Sequence, residues 1–175
     1  MRRIPKPKAE EYPAYSHIYM DLMADDGNVL EHLWNNFLAI KSLVQTLTKE
    51  QLLFRYAKDK WTIKEILVHL IDDERVYTYR ALRFARHDFT PLPGFDQNHY
   101  TRYSAANERS LESILEEYEA VRKATISLYE HFPEAALTRG GSADGPENYR
   151  TVRALIYHLA GHELRHLNII KEKYL

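Results

Sequence analysis

Four segments of the chain carry hydrophobic residues at spacings of three and four, separated by stretches rich in glycine, proline and polar residues. This spacing places the apolar side chains on one face of an α-helix. The pattern predicts helices over residues 28–47, 62–84, 110–131 and 151–175. Thr62 followed by Glu65 is a capping box at the start of the second helix. The charged residues of the third segment are expected to face solvent. No strand-like alternation competes with the four segments, so the pattern predicts an all-α protein.

Two connections between the predicted helices, residues 87–107 and 133–150, are longer than a tight helix hairpin requires. Four amphipathic helices with long connections predict a four-helix bundle, in which sites are built from side chains of facing helices. We assign the bundle to residues 28–175. Residues 1–27 contain prolines and tyrosines without a clear period, and we expect them to form an irregular N-terminal arm.

Composition excludes several classes of function. A chain of 175 residues is the size of one domain, and its net charge of -1 gives no basic surface for nucleic acid. It contains no cysteine, so a metal would have to be held by nitrogen and oxygen ligands. The basic start has no apolar segment behind it, and no apolar run approaches the ~20 residues that span a bilayer. We therefore expect a cytoplasmic protein that binds neither nucleic acid nor membranes.

Histidines stand on the predicted inner faces of two helices. In the second helix His69 shares its face with apolar residues, and in the fourth His158, His162 and His166 recur every four residues. A single inward histidine is usually a hydrogen-bonded core residue, but several facing imidazoles are poor partners for one another without a cation. If the two helices face each other, His69, His162 and His166 form a three-nitrogen metal site with open positions. His158 is a fourth candidate or a core histidine.

The stretch HELRH at His162–His166 also matches the HExxH pattern of zinc proteases, in which Glu163 would be the general base. Those enzymes need a third ligand downstream. The residues that follow His166, LNIIKEKYL, contain neither histidine nor aspartate, and Glu172 lies on the same helix. We therefore disfavour the protease interpretation and keep Glu163 as a weak catalytic candidate or a surface carboxylate. Asp73, one turn after His69, is a second weak candidate, able to orient a ligand imidazole or simply solvated.

The segments KWTIKEILVHLIDDERVYTYRALRFARHDFTPLPGFDQNHY and RALIYHLAGHELRHLNIIKEKYL resemble the DinB-like family, four-helix bundles that include the YfiT-type metal-dependent thiol transferases. The resemblance implies a histidine triad, here His69, His162 and His166, that binds a nickel or zinc type of divalent ion. It also implies that dimers are common. Arg165 stands where many members have another histidine, and His158 stands at a position that is usually apolar.

Two functions follow as expectations. In the first, the metal activates a low-molecular-weight thiol or a water for attack on a small electrophilic substrate, as a thiol transferase or hydrolase would. In the second, the protein is a non-catalytic, stress-associated metal-binding homodimer, and His158 closes the site as a fourth nitrogen. An iron or manganese carboxylate bundle is disfavoured because the required Glu-x-x-His motif occurs only once. Residues of the first long connection are candidates for the rim of the site: Phe95, Asp96, Asn98, His99 and Tyr100.

Overall fold

The computed structural model describes residues 1–88 and 90–175. Its helices are α1 (His17–Met20), α2 (Val29–Val44), α3 (Lys49–Leu53), α4 (Ile63–Ala85), α5 (Gln97–Tyr103), α6 (Leu111–Glu130) and α7 (Val152–Lys173). Two short strands, β1 (Gly140–Ser142) and β2 (Tyr149–Thr151), form an antiparallel pair. Single 3-10 turns are found at Ala9–Glu11, Ala14–Ser16, Ala106–Glu108, Glu134–Ala136 and Pro146–Asn148. The predicted four-helix bundle is confirmed, and its members are α2, α4, α6 and α7.

The starts of the bundle helices follow from side-chain caps that the sequence contains. Thr62 accepts a hydrogen bond from the backbone N–H of Glu65, whose carboxylate accepts one from the N–H of Thr62 at 2.7 Å. Ser110 and Thr151 cap α6 and α7 in the same position. These side chains satisfy N–H groups that have no partner within the helix. The predicted boundaries of α4, α6 and α7 are therefore close to the observed ones.

Helices α4 and α7 pack against each other, and each also contacts one of the two remaining bundle helices. The apolar faces form two buried clusters, one on each side of the middle of the bundle. A buried ion network lies at the level where the clusters meet, and Arg122 of α6 is its centre. Its guanidinium donates to Glu74 of α4 at 2.9 Å, to Glu163 of α7 at 2.8 Å, and to the carbonyl of Leu33 in α2.

The sequence predicts a charged, solvated face on α6, and Arg122 is a charged residue of this helix that does not lie on that face. Arg122 stands four residues after Tyr118, on the apolar stripe of α6, and it is fully buried. The two glutamates come from other helices, so nothing within α6 indicates that the charge is compensated. Buried charges are tolerated when they are paired and hydrogen-bonded. The network therefore joins all four helices of the bundle through one side chain.

The N-terminal arm packs along α7. Tyr157 donates a hydrogen bond to the carbonyl of Ile4 at 2.8 Å, and Arg153 binds Glu11 through two nitrogens. Gly161 allows the closest approach, because a Cβ at that position would overlap with the carbonyl of Tyr19. The arm contains α1 and two single turns, so it has more regular structure than we expected. The domain boundary at residue 28 stays a prediction.

The small sheet corrects the expectation that no strands are present. Each strand has three residues, and so short a segment shows no alternation to detect. The sheet lies within the second long connection and leads directly into α7.

In the first long connection α5 is an additional helix, capped by Asp96. No helix in the described residues is long and apolar enough to cross a membrane.

Candidate metal centre

Three imidazoles from α4 and α7 converge at one point. His69 and His162 approach each other with their Nε2 atoms 3.3 Å apart, and the Nε2 atoms of His162 and His166 are 3.0 Å apart. A ligand atom of each of the three residues lies within 4.8 Å of the others. His162 and His166 share a face because four residues complete about one helical turn. The third imidazole is added by the packing of α4 against α7.

The surroundings of His69 and His166 favour the neutral form of these two imidazoles. Burial, followed by the nearby charge of His162, lowers the pKa of His69 to about 4. Burial also holds the pKa of His166 well below its ordinary value. The indole of Trp61 covers the cluster, with its ring centre 4.7 Å from that of His69. A neutral imidazole keeps a lone pair on one nitrogen, which is the form that binds a metal.

The arrangement fits a divalent metal better than it fits hydrogen bonding. The Nε2 of an imidazole carries either one proton or one lone pair. The Nε2 of His162 therefore cannot form full hydrogen bonds with His69 and His166 at the same time. The Nδ1 of His166 is buried and has no hydrogen-bond partner among residues 1–88 and 90–175. Metal–nitrogen bonds of about 2.0–2.1 Å place two adjacent ligands of a tetrahedral or octahedral ion about 2.8–3.4 Å apart. The observed separations match this interval.

Asp73 lies behind His162. Its Oδ2 is 3.2 Å from the Nδ1 of His162, although the two atoms are not well aligned for a hydrogen bond. Burial disfavours the charge of Asp73, but the imidazoles of His162 and His69 outweigh it and lower the pKa of the carboxyl. An ionised acceptor at this place keeps the proton of His162 on Nδ1 and turns its Nε2 toward the other two imidazoles.

Glu163 lies away from the three imidazoles. Its carboxylate accepts hydrogen bonds from Tyr118 and Arg122 in the middle of the bundle, and it is 2% exposed. Burial raises the pKa of Glu163, although Arg122 opposes the shift. Glu163 is thus neither the base of a protease site nor a surface carboxylate, the two alternatives that the sequence left open. The resemblance of HELRH to a protease motif is coincidental.

His158 is a core histidine in the structure. Its ring stacks on Tyr77 with centres 4.6 Å apart, and its Nδ1 is 3.4 Å from the hydroxyl of Ser16. Burial lowers its pKa well below the ordinary value. The three converging residues do not include it. A fourth nitrogen therefore does not close the cluster in this conformation.

A pocket of about 390 Å³ opens over the cluster. Tyr15 and Tyr19 of the arm form one wall, and Tyr19 packs edge-on against His162 with ring centres 5.3 Å apart. Arg165 and Ile169 of α7 also line it. Our sequence analysis did not propose these four residues as site residues. The tyrosines of the arm and the position of Arg165 between two candidate ligands were the available signals.

The residues proposed for the rim separate into two groups. Phe95 lines the pocket over the cluster, and its neighbour Gln97 does so as well. Asp96 instead caps α5, accepting hydrogen bonds from the N–H groups of Asn98 and His99. His99 packs against Tyr103, and Tyr100 packs against Phe95. Asn98 lines two other cavities beside Trp61.

Comparison with known proteins agrees with this geometry. A model of the DinB superfamily matches residues 30–170, which include nearly all of the four bundle helices and the three histidines. The chain belongs to the DinB superfamily. A solved structure with the same fold is YfiT from Bacillus subtilis, described as a probable metal-dependent hydrolase with an unusual four-helix bundle topology. It superposes with a TM-score of 0.76 at 16% sequence identity, over 86% of this chain and 87% of YfiT. No curated protein matches the chain.

The DinB superfamily assignment and the three-histidine group together fit a metal-binding protein that uses a divalent ion. At 16% identity, the likeness to YfiT establishes the fold and not the reaction.

Proposed function

We propose that the protein binds one divalent metal ion through His69, His162 and His166 and uses it in catalysis on a small molecule. The observation that carries the proposal is the convergence of three Nε2 atoms, from helices α4 and α7, at the floor of a pocket. Nickel and zinc are the ions we propose, since both accept imidazole ligands. The proposal includes a cytoplasmic location and a homodimer, as expected from the sequence.

When bound, such an ion supplies Lewis-acid chemistry and lowers the pKa of a water or thiol that reaches its open position. The residues of the chain supply the rest. Asp73 fixes the tautomer of His162, and Trp61 and Tyr19 shield the imidazoles from bulk water. The pocket between Tyr15 and Phe95 admits a substrate from the side opposite the buried core.

The reaction we propose is attack of a low-molecular-weight thiol or a water on an electrophilic substrate. A thiolate suits the centre because three neutral imidazoles leave the charge of a dication uncompensated, except for Asp73. The description of YfiT as a probable metal-dependent hydrolase favours water as the attacking group. A thiol transferase and a hydrolase would use the same three ligands and differ in what occupies the pocket.

Metal content tests the ligand assignment. The protein is purified without a histidine tag, loaded with zinc or nickel, and its metal is counted by mass spectrometry. We expect stoichiometric metal in the wild type and its loss in His69→Ala, His162→Ala and His166→Ala. His131→Ala, an exposed histidine, is the matched control and should keep the metal. Full metal retention in His69→Ala would refute the assignment.

The alternative is a non-catalytic metal-binding homodimer, and His158 distinguishes it. A buried site closed by four nitrogens is structural rather than catalytic. We expect His158→Gln to keep its metal, because His158 is directed toward Ser16 and Tyr77. Loss of metal in His158→Gln would favour the non-catalytic function. Sedimentation of the same samples reports whether metal binding and dimerisation depend on each other.

A further inference from the structure

Two buried arginines next to the pocket have no acidic partner. Arg80 is 6% exposed and Arg150 is 2% exposed, yet neither forms an ion pair with any carboxylate in residues 1–88 or 90–175. Arg80 donates to the carbonyl of Pro93 at 3.2 Å. Arg150 donates to the carbonyl of Asn148 and to the hydroxyl of Tyr15, and its Nε is buried without any hydrogen-bond partner.

Other arginines with little exposure are neutralised. Buried Arg122 is surrounded by two glutamates, and Arg153, which is partly buried three residues after Arg150, binds Glu11. Removing a cation from water without a counter-charge is unfavourable, and buried cations in proteins are therefore usually paired with an anion. The two unpaired cations therefore need an anion that is not part of the described chain.

Both guanidinium groups lie directly behind the aromatic wall of the pocket. Arg80 is 5.3 Å from the ring centre of Tyr77 and 5.9 Å from that of Phe95. Arg150 is 5.3 Å from the ring centre of Tyr15 and 5.6 Å from that of Tyr77. These three aromatic residues line the same pocket as the histidines. The positive charge thus acts on the space beside the metal cluster.

Tyr15 can pass this charge to a ligand. Its hydroxyl oxygen accepts a hydrogen bond from Arg150, which leaves its own proton free to be donated elsewhere. Tyr15 is half exposed and lines the pocket, so that proton can reach a bound molecule. Arg165 adds a third cation at the pocket, and Asp73 is the carboxylate among the lining residues.

We propose that the end of the pocket between Tyr15 and Tyr77 is an anion subsite that takes an oxyanion group, a carboxylate or a phosphate, of the substrate. Tyr15 donates to the anion, and Arg150 and Arg80 are positioning residues that supply charge through the aromatic wall. As a statement about the substrate this rests on the proposed function. The subsite itself does not require the metal, since none of its residues is a ligand.

Anion binding to the metal-free protein tests the subsite. Titration calorimetry with sodium phosphate and with sodium acetate, at constant ionic strength and neutral pH, compares the wild type with Tyr15→Phe and Arg150→Met. We expect saturable binding by the wild type and at least tenfold weaker binding by both variants. The anion that binds more tightly distinguishes a phosphate ligand from a carboxylate. Lys171→Met, which removes an exposed charge from α7, is the control and should bind as the wild type does.

The outcomes separate this proposal from the metal site. Zinc stoichiometry should be unchanged in Tyr15→Phe and Arg150→Met. If the wild type binds anions but no zinc, the metal assignment alone is overturned. If Arg150→Met does not fold, Tyr15→Phe and Arg150→Lys carry the comparison. No anion binding by the wild type, equal affinity in Tyr15→Phe, or binding only when zinc is present would overturn the subsite.

Discussion

Replacing Arg122 by methionine should be among the most damaging single changes to the stability of this protein. The side chain is buried at the middle of the bundle and donates hydrogen bonds to Glu74, Glu163 and the carbonyl of Leu33. Methionine has a similar volume although its side chain is shorter, so the total cavity left in Arg122→Met is small. The cost arises because two carboxylates stay buried after their counter-charge is gone.

Breaking a buried ion pair by removing one partner costs about 3–5 kcal/mol in the free energy of unfolding. For a domain of this size each kcal/mol lowers the melting temperature by roughly 2–4 °C, so Arg122→Met should melt about 6–20 °C below the wild type. Protonation of Glu163 limits the loss. Burial raises the pKa of this carboxyl, and the variant lacks the Arg122 charge that opposes the shift, so the stability of Arg122→Met recovers as the pH falls toward the pKa of an unfolded glutamate.

Urea denaturation at pH 8 and pH 5 measures both parts of this prediction. Arg75→Met is the matched control, because Arg75 is half exposed and pairs with Glu117 at the surface, where such pairs contribute at most about 1 kcal/mol. Arg122→Met should lose several times more stability than Arg75→Met, and the difference should narrow at pH 5. Equal losses in the two variants at pH 8 would refute the reasoning.

Three further outcomes are expected. Gly161→Ala should be less stable than the wild type in urea denaturation. Overlap of the new Cβ with the Tyr19 carbonyl costs about 1–3 kcal/mol, which exceeds the gain in helix propensity of about 1 kcal/mol. A more stable variant would contradict the close packing of the arm. Asp73→Asn should weaken zinc affinity about 10- to 100-fold in a chelator competition, and unchanged affinity would deny it the orienting role. Metal-free protein should lose up to about 3 kcal/mol in the free energy of unfolding between pH 6.5 and pH 4. In this interval the unfolded chain protonates at His69, whereas folded His69, with its pKa of about 4, stays neutral. A urea midpoint that stays constant over this pH interval would contradict the expected pH dependence.

The sequence predicts the bundle well because its signals are local. Apolar spacing and the Thr62 and Glu65 capping box lie within single helices, and the structure confirms the four helices with ends that differ by a few residues. The largest difference is at α2, which ends at Val44 rather than Leu47. Residues 45–47 continue the apolar spacing but form a turn instead.

The parts that the sequence did not predict depend on partners distant along the chain. Glu163 was ambiguous because its partner Arg122 lies 41 residues earlier, on another helix. The strands at Gly140–Ser142 and Tyr149–Thr151 are stabilised by each other and by α4 rather than by their own composition. Neither kind of interaction leaves a periodic pattern in the sequence.

The candidate site shows the same division. The spacing of His162 and His166 is local, and His69 could be added from the apolar face of its helix. Tyr15 and Tyr19 reach the pocket only because the arm packs along α7, which no pattern in the first 27 residues indicates. Arg150 likewise stands at the end of a long connection, residues 133–150, in which no periodic pattern singles it out.

The separation of the histidines along the chain determines when the cluster can exist. His69 and His162 are 93 residues apart, and His166 follows four residues later. At about 5–20 residues per second, a ribosome needs roughly 5–20 seconds to advance from the first histidine to the last. During that interval a nascent chain presents one of the three imidazoles of the cluster. On the proposed function, the ion binds at all three ligands only after His162 and His166 have been made, and its identity depends on which free ions surround the chain when α7 docks against α4.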